Sequence, residues 1–292
     1  NSRKGYIVAL EIIDKKIVGT IDNLQEKLEG KLPVDRLELL YLVNSWGRID
    51  FFYTEYLDED VKIEQCKATQ SEQAFYQNAT SNQLLVKKLV RKECYDLSKL
   101  DVSQITNMSD VFIFSKFNGD ISSWNMSSVT DMSYMFYKVE NFNQDLNNWD
   151  VSNVTSMICM FQCALEFNQP IYNWDVSNVT NMSRMFYRAR EFNQDLNNWN
   201  TSNVISMEAM FYGTKSFNQL LKFDTSNVTN MYRMFYGAES FNQLLDNWNV
   251  SKVTNMDFIF EKAEAFLDKY NSGKPLPNHT DKIKSWFNLN RE

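Results

Sequence analysis

Residues 142–166 read FNQDLNNWDVSNVTSMICMFQCALE, and residues 167–191 repeat the pattern as FNQPIYNWDVSNVTNMSRMFYRARE. The tryptophan of this unit recurs at intervals of 25 residues, with one slip near residue 223. It stands at Trp124, Trp149, Trp174, Trp199 and Trp248. At the slip, FNQLLKFDTSNV places Phe223 in the tryptophan position one residue early. A fixed period of this length predicts a protein built from stacked repeats.

Two hydrophobic patterns occur within each unit. In NNWDVSNV, residues 147–154, apolar and β-branched side chains alternate with polar ones, which predicts a short strand. In SMICMFQCA, residues 156–164, apolar side chains fall at i, i+3, i+4 and i+7, which predicts one helical turn. We therefore predict an α/β repeat solenoid of about seven rungs over residues 97–267, with one short parallel strand and one helical turn per rung.

The ends of such an array need caps, because the terminal rungs would otherwise expose apolar surface. Residues 1–70 contain the strand-like runs GYIVALEII and RIDFFYTEYL around the helical pattern LPVDRLELLYLVNSWG, and we predict a small N-terminal α/β domain. Residues 71–96 are predicted to form a connecting helical segment. In residues 268–292, a loop precedes a predicted capping helix with Ile283, Trp286 and Phe287 on its apolar face.

Composition narrows the classes of function. A net charge of −7 argues against nucleic acid as the partner, because nucleic-acid binding depends on neutralising phosphates. No apolar stretch approaches the ~20 residues of a membrane-spanning helix, so we predict no membrane span. His279 is the only histidine, and Cys159 and Cys163 lack a second ligand pair. We therefore predict no enzyme activity, no cofactor and no metal.

Polar side chains also recur with the period. An asparagine follows the repeat phenylalanine in every rung, as at Asn143 and Asn168, and a glutamine usually comes next, as at Gln144 and Gln169. Amide side chains at equivalent positions of successive repeats can form hydrogen bonds with one another, and buried polar groups need such partners. We predict structural amide ladders at these positions.

The recurring core W-D-V-S-N-V-T-N-M-x-x-M-F, as at residues 174–186, resembles the 25-residue repeats of the BspA-like family, which are related to leucine-rich repeats. The resemblance covers residues 97–267 and does not extend to the first 90 residues. It implies a leucine-rich-repeat-like solenoid, a role in adhesion or protein binding, and a cell-surface or secreted location. It implies no catalytic residue.

Positions that vary between rungs are the candidates for partner binding, because the constant positions build the core. The tenth and fourteenth residues after each tryptophan vary strongly and lie on the predicted helical turn. We predict a basic, tyrosine-rich patch there, since arginine and tyrosine are favoured at interfaces. Its residues are Tyr134, Arg184, Arg188, Arg190, Lys215, Tyr232 and Arg233. The expected partner is a protein, such as a host-surface molecule, or a glycan.

Several alternatives remain open from the sequence. The patch is also explained as a solvated face without a function. The predicted strand face offers a second polar surface, formed by Asn148, Asp150, Asn173, Asp175, Asn198 and Asn200. A cytoplasmic adaptor or inhibitor would use residues 1–95 as an effector domain and the repeats for recognition. An ice-binding array is disfavoured, because only one threonine recurs per rung and Ile205 interrupts that column.

Overall fold

The computed structural model describes residues 24–44, 96–274, 276 and 278–289. It contains helices α1 (Leu24–Leu28), α2 (Arg36–Asn44), α3 (Glu264–Asn271) and α4 (Thr280–Leu289). Between residues 97 and 263 the chain forms turns and isolated bridges, with no helix and no extended strand. The two predicted N-terminal strands and residues 71–95 of the connecting segment lie outside the described residues.

Successive repeats lie in parallel register, each joined to the next by a single-residue bridge. We number the rungs one to seven by the methionine that follows each bridge. These methionines are Met108, Met132, Met157, Met182, Met207, Met231 and Met256. The bridges pair the residues just before them, for example Asp131 with Ser156 and Ser156 with Asn181. Parallel pairing is therefore confined to one residue per rung and falls after the NNWDVSNV segment.

The predicted helical turn is replaced by three successive backbone turns. In rung three, alternate N–H groups bond three residues back at 3.0–3.2 Å: Met160 to Met157, Gln162 to Cys159 and Ala164 to Phe161. The N–H groups between them donate to the next rung at 2.8–2.9 Å: Cys159 to Ser183, Phe161 to Met185 and Cys163 to Tyr187. Backbone donors are thus satisfied both within a rung and across the stack, without a helix.

This alternation places two residues of each rung in the left-handed region of φ. In rung three they are Cys159 and Cys163, with φ of 55° and 58°. Each is the third residue of a four-residue turn, the position that needs positive φ in a type II turn. Positive φ at a residue other than glycine is unfavourable by about 1–2 kcal/mol and cannot occur within a right-handed helix. The inter-rung hydrogen bonds, each contributing about 1 kcal/mol, help to offset that strain.

Aromatic columns fill the core. The phenylalanines four residues after each numbered methionine stack from Phe112 to Phe260 with ring centroids 5.2–5.8 Å apart. A second column runs from Phe117 to Phe266 at 5.9–6.2 Å. Phe223 is buried and stacks on Trp199 at 6.5 Å with the rings 4° from parallel. The interpretation of Phe223 as the substitute for tryptophan is therefore confirmed.

The predicted amide ladder is also confirmed. The backbone N–H of Asn168 donates to Oδ1 of Asn143 at 3.0 Å, and Nε2 of Gln169 donates to the same oxygen at 3.1 Å. The same pattern links Asn118 to Asn143 and continues to Asn242. One side-chain oxygen per rung thus satisfies donors of the next rung, as buried and half-buried polar groups require.

Residues 24–44 cover the first rung. Val34 donates its N–H to the carbonyl of Asp101 at 2.9 Å, and Arg36 Nε donates to the carbonyl of Asn107 at 2.9 Å. Helix α2 begins with a capping box, in which Asp35 and Glu38 each accept the other's backbone N–H at 2.9 Å. The buried residues of this segment belong to the same apolar core as the rungs.

The other end is closed by α3 and α4. Phe266 of α3 stacks on Phe260 at 3.9 Å, and Ile283 and Phe287 of α4 are buried in the same core. Thr280 accepts the N–H of Met256 at 3.0 Å, so it satisfies a donor that would otherwise bond to a following rung. Helix α4 lies where the sequence predicts one, while the predicted contact of Trp286 lies outside the described side chains. Among the helices described, none has the length and apolar character to cross a bilayer.

Candidate partner-binding surface

The variable residues project from the three-turn segment of each rung. We call this surface the turn face and define it by the ninth, tenth, thirteenth and fourteenth residues after each tryptophan or its substitute. In rung four these are Ser183, Arg184, Tyr187 and Arg188. Because alternate backbone groups on this segment bond to the next rung, equivalent side chains form columns one rung apart.

Tyrosines form a stacked column at the thirteenth position. Tyr187 and Tyr212 have ring centroids 4.4 Å apart, and Tyr212 and Tyr236 are 4.6 Å apart. The two planes of the second pair differ by 1°, and all three side chains are half-buried. This column is more closely spaced than the buried phenylalanine columns, and because its rings stack face to face, their partly exposed edges line up along the turn face.

Two arginines lie against these rings. The Arg188 guanidinium is 5.5 Å from the Tyr187 centroid, and the Arg233 guanidinium is 4.9 Å from Tyr232 and 5.4 Å from Tyr236. Such cation–π contacts contribute about 0.5–2 kcal/mol each and restrict the motion of the guanidinium group. Nε of Arg233 is buried and has no hydrogen-bond partner among the described residues.

Two other predicted cations are already paired. Nη2 of Arg184 is 2.7 Å from Oε1 of Glu208, and Nζ of Lys215 is 2.8 Å from Oε1 of Glu239. Each pair joins adjacent rungs, and at least one member of each is half exposed to solvent, so it contributes little to stability. The charge of Arg184 and Lys215 is nevertheless neutralised locally. Arg190 is exposed and forms no ion pair within the part of the chain that the structure describes.

Tyr134 lies apart from the other predicted residues. It occupies the same column as Arg184 and Arg233 but stands two rungs before Arg184. Burial, together with a smaller contribution from the neighbouring Cys159, raises the pKa of Tyr134 to about 12. Its ring packs edge-on against Tyr137 at 5.9 Å. The seven predicted residues therefore divide into a group in rungs four to six and an isolated tyrosine in rung two.

A pair of glycines was not recognised as a feature by sequence reasoning. Gly213 and Gly237 occupy the fourteenth position of rungs five and six, with φ of 63° and 64°. Other rungs place Lys138, Arg188 and Lys262 at this position with φ of 56–59°. The two glycines could have signalled positive φ throughout this column, because glycine is the usual residue in that conformation.

The second polar surface, which the sequence predicted to be a strand face, is not formed by strands. Its residues are exposed, but they lie in turns around the tryptophans. Oδ1 of Asp150 accepts hydrogen bonds from the hydroxyl and N–H of Ser152, at 2.6 and 3.0 Å, and these bonds lower the pKa of Asp150. Asp175 and Asn200 accept the equivalent backbone bond. These side chains are partly engaged in holding their own turns.

The cysteines and histidine of the described chain show no activated nucleophile. Burial raises the pKa of the Cys159 thiol to about 11 and also raises that of Cys163. Thiols with raised pKa are poor nucleophiles near neutral pH. His279 immediately precedes helix α4. Among the residues described, no three His, Cys, Asp or Glu side chains are grouped to hold a metal ion.

Comparison with known proteins gives one family. The model of the family described as "Mycoplasma protein of unknown function, DUF285" matches residues 69–199 and again residues 180–288. No curated protein and no solved structure matches the chain. Two overlapping matches of one model are expected when a family consists of repeats, in agreement with the period of the sequence. Since the matched residues make up most of the sequence, the chain belongs to this repeat family, DUF285.

Proposed function

We propose that the protein is a non-enzymatic binding module, a leucine-rich-repeat-like solenoid whose turn face in rungs four to six recognises a protein partner. The observation that carries this proposal is the half-buried column of Tyr187, Tyr212 and Tyr236, with Arg188 and Arg233 lying against it. Tyrosine and arginine are enriched among the residues that dominate binding energies at interfaces.

The rigidity of this surface favours binding. The backbone beneath it is held by inter-rung hydrogen bonds, including Arg188 N–H to the Tyr212 carbonyl and Gly213 N–H to the Tyr236 carbonyl, both 2.7 Å. Stacked rings and guanidinium groups lose little additional freedom when a partner binds. Ordering a mobile side chain costs about 0.5–1.5 kcal/mol, so a surface that is already ordered binds more tightly.

The tyrosines are not required by the repeat itself. The same position holds Ile113, Gln162 and Glu261 in other rungs, and the backbone bonds of the segment are kept there. An aromatic pair contributes about 0.5–1.5 kcal/mol, so the column also adds stability. Its exposure distinguishes it from the core columns, because a ring recruited for stability alone would gain more by being buried.

The resemblance to BspA-like repeats supports an adhesion role at the cell surface or in a secreted form. A cytoplasmic adaptor that uses the same face is the alternative, with the N-terminal region as its effector. The two differ in the origin of the partner and share the predicted contact surface. A glycan partner is the third outcome, and the identity of the captured molecule separates it from the other two.

Site-specific photo-crosslinking tests the surface. A benzophenone amino acid would replace Tyr212 on the turn face or, as the matched control, Tyr172, an exposed tyrosine outside it. The labelled proteins would be irradiated with surface and cytosolic fractions of the cells that make the protein and of the cells they contact. We expect a discrete protein adduct from position 212 and none from position 172. Equal adducts from both positions, or none from position 212, would refute the assignment.

A further inference from the structure

The fourteenth column of the turn face contains an opening bracketed by cations. Reading along the stack, it holds Arg188, Gly213, Gly237 and Lys262 in rungs four to seven. A Cβ atom placed on Gly237 would meet only the Cα of Gly213, at 3.9 Å, so the space above it is open. We call the gap over Gly213 and Gly237 the glycine notch.

Backbone conformation alone does not explain these glycines. The same column has Phe114, Lys138, Cys163, Arg188 and Lys262 at φ of 56–59°, so side chains are tolerated in this conformation. The two glycines stand in adjacent rungs, where the missing side chains produce one continuous gap. The rings of Tyr212 and Tyr236 immediately precede the two glycines in the chain, and Ala209 and Arg233 occupy the tenth position of the same rungs.

The charges around the notch are mainly positive. Cγ of Arg188 lies 3.3 Å from the Cβ position of Gly213, so this side chain leans over one end. Nζ of Lys262 lies 5.3 Å from the Tyr236 centroid at the other end, and the Arg233 guanidinium is 5.4 Å from the same ring. The acidic residues nearby are Glu208 and Glu239, which are paired with Arg184 and Lys215, and Glu261, which precedes Lys262. The notch therefore favours an anionic occupant, although the whole chain is acidic.

The backbone at the base of the notch has no N–H group free for an anion, so any anion must bind to side chains. The N–H groups of Gly213 and Gly237 donate to carbonyls of the next rung, at 2.7 and 2.8 Å, so they are not free to bind an anion. The backbones at Arg188 and Lys262 are three rungs apart, roughly 14 Å at the usual spacing of about 4.8 Å between paired strands, and both side chains lean towards the glycines between them. An extended segment covers a similar distance in about four residues.

We propose that the glycine notch binds an extended protein segment with two acidic side chains about four residues apart, one at Arg188 and one at Lys262, and small or apolar residues between them. The inference rests on the proposed function and names the chemistry of its partner. The residues of the segment between its two acidic side chains would lie over Gly213 and Gly237 and against the tyrosine column. Their side chains must be small where they face the glycines, because the gap is narrow there.

Selection from a random peptide library displayed on phage tests this inference without knowledge of the natural partner. Clones that bind the full-length protein would be sequenced, and synthetic peptides from them would be titrated by fluorescence anisotropy. We expect enrichment of Asp and Glu at the stated spacing and binding that weakens as salt is raised. Affinity should fall about tenfold or more in Arg188→Gln and in Lys262→Gln, since each loses a charge-assisted bond.

A blocked notch provides the decisive variant. Gly237→Asn puts a side chain into the gap using the non-glycine residue that best tolerates positive φ, and Lys138→Asn places the same residue at the equivalent position of a rung without a notch. We expect Gly237→Asn to abolish binding and Lys138→Asn to leave it unchanged. If Gly237→Asn does not fold, the exposed Lys262→Gln variant decides the question.

The outcomes separate the two proposals. Peptides that lose affinity with Tyr212→Ser but bind Gly237→Asn normally would support the turn face and overturn the notch. Peptides unaffected by any of these variants would contradict the turn face itself. A library with no enriched clone, or enriched clones without acidic residues, would also overturn the notch. With no enriched peptide, direct binding of sulfated but not neutral oligosaccharides, weakened in Lys262→Gln, would overturn the peptide as occupant and assign the notch to an acidic glycan.

Discussion

Replacing Trp174 by alanine tests the stacked core most directly. The indole is 2% exposed and lies 6.4 Å from Trp199 and 6.3 Å from Phe161, centroid to centroid. Its Nε1 donates to the carbonyl of Leu146 in the preceding rung at 2.8 Å. Removing a large buried aromatic side chain costs about 3–5 kcal/mol through lost burial and the cavity left behind. The unpaired carbonyl adds to that cost if water cannot reach it.

Trp174→Phe separates the ring from the hydrogen bond. Phe223 already occupies this position in rung six and keeps the column with Trp199, so phenylalanine fits the stack. We expect this variant to lose about 1–2 kcal/mol, from one hydrogen bond and a smaller buried area. Arg184→Glu is the surface control, because Arg184 is half exposed and its pair with Glu208 contributes at most about 1 kcal/mol.

Urea unfolding, monitored by circular dichroism, measures the free energy of unfolding of all three variants. The expected order of destabilisation is Trp174→Ala, then Trp174→Phe, then Arg184→Glu. In an array where each rung contacts its neighbours, a central defect is also expected to broaden or split the transition. Equal losses for Trp174→Ala and Arg184→Glu, or a loss below about 1 kcal/mol for Trp174→Ala, would refute the assignment of inside and outside positions.

Three further predictions concern the backbone, the amide ladder and pH. Lys138→Gly should be more stable in urea than Lys138→Ala by up to about 1 kcal/mol, because both lose the cation–π contacts with Phe114 and Tyr137 while only glycine relieves the positive φ, and equal stability would contradict the strain argument. Asn143→Ala should cost about 1–3 kcal/mol, since Asn168 and Gln169 lose their acceptor, whereas the exposed Asn153→Ala should cost less; equal costs would exclude the ladder as a stabilising feature. Because burial raises the Cys159 pKa from 9.0 to about 11, its contribution to stability is present below pH 9 and lost as pH rises towards 11. Unfolding measured across that range should show a smaller alkaline decline in Cys159→Ala, and an identical decline would contradict the buried thiol.

Repeats made much of the core predictable. Within one chain, residues at equivalent positions can be compared, so constant apolar positions such as Met157 and Phe161 are distinguished from variable ones such as Arg184. The same comparison identified Phe223 as the substitute for tryptophan and predicted the amide ladder. These features follow from period and side-chain chemistry, which do not depend on the path of the backbone between repeats.

The proposed turn face combines positions that the sequence selected with side-chain pairings that it did not show. Sequence reasoning selected the tenth and fourteenth positions, and both have positive φ in the structure. It placed Arg184 and Arg188 in one basic patch, whereas Glu208 neutralises Arg184 across the rung boundary. The prediction also did not include Gly213 and Gly237, which lie between the residues of the patch. Neighbours 24 or 25 residues apart become visible only when the rungs are superposed in space.

The sequence by itself determined the repeat period, the register through Phe223, and which side chains are buried. Only the tertiary structure decided the backbone path, because spacing at i, i+3, i+4 and i+7 arises from a helical turn and also from successive turns with three-residue hydrogen bonds. The choice depends on donors such as Cys159 N–H and Phe161 N–H finding carbonyls in the next rung. A single rung lacks those acceptors, so its sequence alone cannot specify the conformation that the stack stabilises.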